Sequence, residues 1–80
     1  MTDIPDGLLT ADGFDEAILG IGSRCGQADA VVYDAEKMIH ILAGREGWDY
    51  EEALEYLEFN TFGAWAGEHT PIWMWKRALA

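Results

Sequence analysis

The stretch "DAEKMIHILAGREGWDYEEALEYL", Asp34 to Leu57, decides how this chain folds, because it encodes two helices and the break between them. Ala35, Met38, Ile39, Leu42 and Ala43 recur at the three-and-four spacing that gathers side chains on one helix face, leaving Glu36, Lys37 and His40 outside. Asp34 stands where an N-cap is wanted, and Gly47 in "GREG" can take the left-handed conformation that closes a helix. This predicts a first helix over about 35–46. A second begins at once: Asp49 and Glu52 have the spacing of a capping box, Trp48 occupies the place of a hydrophobic staple, and Glu51 and Glu52 suit the positive end of the helix dipole. It runs over about 50–60, with Ala53, Leu54 and Leu57 inward and Glu51, Glu55 and Glu58 outward.

On the N-terminal side, "AILGIGSR" and "DAVVY" are short β-branched runs joined through "CGQA", which reads as a β-hairpin over about 17–33. Gly20 and Gly22, two positions apart, fall on one face of it. Residues 1–13 hold Pro5, Gly7 and Gly13 among scattered acids and read as an irregular lead-in that Leu8 and Leu9 can pin to the core; residues 14–80 form one domain. On the C-terminal side, the two glycines of "TFGAWAGEHT" argue against a long helix, and "IWMWK" after Pro71 reads as a strand over about 71–76. The expected fold is α+β, a three-stranded antiparallel sheet with both helices on one face.

Eighty residues allow one domain with a thin stability margin. Half of them are apolar, more than an acidic disordered tail carries. Phe59, Phe62, Trp65, Ile72 and Trp73 are expected to enlarge a core too short to build from aliphatics alone. Trp73 and Trp75 must share a strand face: either both meet the helices, or both lie on the open face and want a second copy or a docking partner. No apolar run reaches the roughly 20 residues of a membrane span, and the acidic N-terminus is unlike a signal peptide, so the cytosol is the default compartment. Cys25 is the single cysteine, which excludes an internal disulfide and a zinc site built on paired thiolates.

Net charge is −10, from 15 acidic against five basic residues. That field repels nucleic acid and anionic lipid and favours a basic protein partner.

The segments "GIGSRCGQADAVVYD", "YEEALEYLEFN" and "GAWAGEHTPIW" together resemble a family of short, uncharacterised acidic proteins of phage and prophage genomes. The resemblance spans about Ala17 to Trp73. It implies a viral setting, in which a small acidic protein acts by blocking a host protein, such as one of host defence, and it implies no catalytic chemistry.

The residues themselves offer three readings. Glu51, Glu52, Glu55 and Glu58 on one helix can imitate the spaced charges of a nucleic-acid backbone and engage a basic groove, with Trp73 and Trp75 supplying buried rings; the plainer alternative is a solvated helix face. Cys25 beside Arg24 could be an activated thiol with His40 or His69 as base and Asn60 as orienter, against the simpler reading of a small residue in a turn. Self-assembly as a structural subunit is the third. Glu68 and His69 show no recognised metal-ligand spacing, and with Thr70 they read instead as a turn ahead of Pro71. No motif implies a cofactor, and the expectation is a non-enzymatic binding protein.

Overall fold

The computed structural model describes residues 7–76. The first six residues of the expected lead-in, and Arg77 to Ala80, lie outside the described residues. A single 3₁₀ turn, Asp15–Ala17, leads into β1 (Ile18–Gly22), followed by β2 (Ala30–Asp34), α1 (Ala35–Glu46), α2 (Tyr50–Leu57), a π-helical turn (Glu58–Phe62) and β3 (Ile72–Met74). The fold is α+β, as the alternating patterns predict.

The helix boundaries follow from their caps. The Asp34 carboxylate accepts from the Lys37 amide at 3.1 Å, and Gly47 closes α1 with φ of 72°. Two residues later Asp49 accepts from the Glu52 amide at 2.9 Å while the Glu52 carboxylate takes the Asp49 amide at 3.5 Å, completing the capping box. The Trp48 ring does more than staple: it lies against Tyr56, with ring centroids 5.4 Å apart. Ala35, Met38, Ile39 and Leu42 of α1 and Ala53 and Leu57 of α2 are buried, and Val31 and Tyr33 of β2 meet them in one core with Phe14 and Ala17. The lead-in is irregular from Gly7 and is tied down at two points. The Ala11 amide donates to the Tyr33 hydroxyl at 2.7 Å, and the Arg45 guanidinium bonds the Gly13 carbonyl while lying 4.9 Å from the Phe14 ring centre.

β1 and β2 form the expected antiparallel hairpin, but its connection covers residues 23–29, longer than "CGQA" suggested. A β-turn accounts for part of the difference: the Gln27 amide bonds the Arg24 carbonyl, and Gly26, with φ of 77°, takes the left-handed place of a type II turn. A bulge between Ile18 and Gly20 keeps Ile18 opposite Tyr33, on the helix side, while Gly20 and Gly22 pair with Val32 and Ala30 on the other face. Gly22 has no room for a side chain, since a Cβ there would come within 2.9 Å of Val32.

The sheet is not wholly antiparallel. Its order is β1-β2-β3, and β3 pairs with β2 in parallel, with Val32 opposite Ile72, Tyr33 opposite Trp73 and Asp34 opposite Met74. Parallel neighbours need a long crossover, which the two helices supply. The chain must then travel back before it can run alongside β2, and residues 63–71, able to reach about 30 Å when extended, are long enough to do so. His69 marks where the return ends. Its Nδ1 lies 2.8 Å from the Asp29 carbonyl oxygen, and both residues stand three positions before the first paired residues, Ile72 and Val32. At the far end Lys76 forms an ion pair with the buried Asp34 at 3.1 Å, so the parallel pair is fastened at both ends.

Candidate functional site

The outer face of α2 is the first candidate. The capping box sets its phase, and Glu51, Glu52, Glu55 and Glu58 all emerge exposed, as their spacing predicts. From Glu46 to Trp75 the chain contains no lysine or arginine, and the Lys76–Asp34 contact is the only ion pair among the described residues. Among the described residues these glutamates form no ion pair. Their common field extends into solvent and acts on whatever approaches.

Rings accompany the charges, though not the rings expected. Trp73 and Trp75 both turn towards the helices: Trp73 packs on Tyr33 and Phe62 with centroids 5.5 and 5.2 Å away, and Trp75 meets Phe62 edge-on at 5.6 Å. Both are half-buried against the core, and strand alternation puts Met74 on the opposite face with Ile72. Phe59, Trp65 and Ile72 correct the sequence reading in the other direction. Phe59 is 90% exposed, Trp65 78% and Ile72 47%, so they do not supply the core.

Phe59 and Phe62 both lie in the π-helical turn. Phe59 lies one turn beyond Glu55 and continues the outer face, a position the four-residue rule makes legible in the sequence. The rule fails at Phe62, which it would place beyond Glu58 on that same face. In an α-helix five residues carry the chain about 140° past a full turn, but the wider i→i+5 turn advances less per residue and swings Phe62 back towards the face of buried Leu57, where it packs against the core. The side chain of Asn60 donates to the Tyr56 carbonyl at 2.9 Å within this wide turn.

A shallow notch of about 320 Å³ opens on α2, walled by Trp48, Glu52, Glu55 and Tyr56. A larger cleft of about 410 Å³ lies at the His69–Asp29 end of the sheet between the hairpin connection and the return loop, with Ser23, Arg24 and Gln27 on one side and Trp65, Glu68 and Thr70 on the other. It joins "GSRCGQ" to "GAWAGEHTP", two stretches distant in sequence. Thr70 shapes its loop as expected, its hydroxyl accepting from the Ala66 amide at 2.8 Å and donating to the Gly67 carbonyl at 2.7 Å; Glu68 makes no such bond.

The thiol constellation is not assembled by hydrogen bonds among the described residues. Cys25 is exposed at the hairpin turn, His69 is engaged by the Asp29 carbonyl, His40 lies against Tyr50 at 5.6 Å, and Asn60 bonds the backbone of its own helix. No three histidine, cysteine or carboxylate side chains gather as a metal-binding group among the described residues, and no helix there is long and apolar enough to cross a membrane.

Among the described residues two titrating groups are displaced, and both serve the scaffold. Burial raises the Tyr33 phenol above its ordinary 10.0; the Ala11 amide opposes this, and Asp15 and Asp12 add to it. Burial pushes the Asp34 carboxyl up, but the Lys37 amide and the Lys76 ammonium together outweigh it and hold Asp34 below its ordinary 3.8.

Compared with protein-family models, curated proteins and solved structures, the chain matches none of them.

Proposed function

We propose that this chain is a non-enzymatic interaction protein of phage type that binds a basic surface of a host or viral protein through the outer face of α2. The observation that carries this reading is the alignment, along α2 and the turn that continues it, of four exposed glutamates that form no ion pair among the described residues and an almost fully exposed Phe59. Glutamates steer the encounter and set its register, while a ring buried on contact slows dissociation. The packing of Trp73 and Trp75 against Tyr33 and Phe62 favours Phe59 over them as the anchor. Spaced carboxylates on a helix also suit a groove that otherwise holds a nucleic-acid backbone, which makes competitive inhibition of a nucleic-acid-binding protein the natural consequence.

The test is affinity capture from host lysate at low and moderate salt, with wild type beside a Glu51→Gln, Glu55→Gln, Glu58→Gln variant and Phe59→Ala. The reading expects one basic protein held stoichiometrically by wild type, released by salt, and lost from both variants. Capture that ignores salt and the glutamate changes would remove the acidic-face reading.

A further inference from the structure

The notch on α2 has a chemistry of its own. Trp48 and Tyr56 meet at 5.4 Å with their rings inclined by 55°, forming a V, and Glu52 and Glu55 stand on its rim. Aromatic faces attract cations, carboxylates pair with them, and a concave site bearing both is suited to a positively charged side chain. The Glu55 carboxylate makes no hydrogen bond or ion pair among the described residues, and Glu52 spends one oxygen on a long 3.5 Å bond to the Asp49 amide, leaving the other available. The walls are positioned by the helix junction. The Trp48 amide is held by the Ala43 carbonyl at 3.0 Å, and the Asp49–Glu52 capping box fixes the first turn of α2 beside it. A site set in this way needs little reordering on binding.

We propose that this notch receives an arginine side chain of the protein partner. The inference rests on the reading of α2 as the binding face and adds the chemistry of the residue it grips. Arginine fits better than lysine for two reasons: a planar guanidinium can lie flat against the exposed Tyr56 ring, and its fork of N–H donors can reach Glu52 and Glu55 together. A lysine ammonium is more strongly hydrated and offers no plane to stack. The docked arginine lies one to two turns from Phe59 along the same helix, so one basic segment can engage both.

The experiment is an NMR titration of the full chain with N-acetyl-arginine amide, compared with its lysine and citrulline counterparts. Citrulline keeps the shape and lacks the charge. The arginine probe is expected to saturate with a dissociation constant in the roughly millimolar range, moving the Trp48 indole and the Tyr56 and Glu55 amides. Lysine should bind roughly two- to fivefold more weakly, and citrulline should give no saturable shift. Glu55→Gln and Tyr56→Leu, each checked for an unchanged fold by its amide spectrum, should weaken the arginine probe by roughly two- to fivefold. Absence of saturable shifts at Trp48 and Tyr56, an equal response to citrulline, or full binding by Glu55→Gln would overturn the proposal. Those outcomes are separable from failure of the broader reading: lysate capture that depends on Glu51, Glu58 and Phe59 but not on Tyr56 leaves the binding face intact without the arginine notch. Arginine binding without lysate capture does the reverse.

Discussion

Phe59 and Phe62 sit three residues apart in one helical turn, yet one is 90% exposed and the other packs between Trp73, Trp75 and the core. The contrast extends beyond the pair. Phe62, Trp73, Trp75 and Tyr33 form an inward group in contact with one another, while Trp48, Tyr56 and Phe59 accompany glutamates on the outer face of α2. Rings of the inward group are held by neighbours on three elements and should matter to stability. In the outward group Trp48 still leans on the core, but Tyr56 and above all Phe59 face solvent and should matter to binding. Composition alone cannot divide a small protein's aromatics this way, because both groups use the same residue types in adjacent segments.

The sharpest way to break the comparison is to truncate both phenylalanines. Phe62→Ala should cost about 2–3 kcal/mol in urea unfolding, somewhat below the range for a fully buried ring because Phe62 is only half-buried, whereas Phe59→Ala should stay within about 0.5 kcal/mol. Equal losses would mean that the two rings are not divided by the π-helical turn. Next in size is Tyr33→Phe, which removes the acceptor of the Ala11 amide while keeping the ring; a loss of about 1–2 kcal/mol is expected, with faster hydrogen exchange at Ala11.

A smaller effect concerns the fastening of β3, which holds the inward rings in place. Asp34 has a folded pKa below its ordinary 3.8, so its contribution is complete above that value and is lost as pH falls through the depressed folded pKa. Acid titration of stability should therefore show a component below the ordinary aspartate range that Asp34→Asn abolishes. Lys76→Met should reduce it, leaving the part due to the Lys37 amide. The smallest expected change is the null result of Glu51→Gln, Glu55→Gln and Glu58→Gln together on thermal unfolding, since surface substitutions away from special contacts shift stability within about 0.5 kcal/mol each. A large stabilisation would instead show that mutual repulsion on the outer face strains the fold, which is the cost expected of a surface kept charged for a partner.

The first helix and the start of the second were legible to the residue, because their signals are local; α2 ends at Leu57, short of the expected residue 60, where the π-helical turn takes over. A cap such as Asp34 or Asp49 acts across one turn, a glycine such as Gly47 acts on its own φ, and the apolar spacing reports directly which side is buried. The hairpin was legible for the same reason, although its connection proved longer than the Gly26 turn alone. The outward place of Phe59 could also have been read from its four-residue distance to Glu55. Helical phase, not ring size, decides the place of Phe59.

The parallel pairing of β3 and the widened turn that carries Phe62 inward were not legible, although the inward place of Phe62 itself was expected and holds; the reason is common to both. Which neighbour a short strand chooses depends on where the return loop ends, and at that end stands a contact between His69 and Asp29, 40 residues apart. Likewise the widening of the last turn depends on Trp73 and Trp75 being present to receive Phe62, and they arrive from the other end of that loop. By itself the sequence determined the two capped helices, the hairpin, the acidic outer face and the absence of any lysine or arginine beside it. Only the tertiary structure decided strand direction and which rings are left outside, because those outcomes are set by packing between segments that carry no local signal of each other.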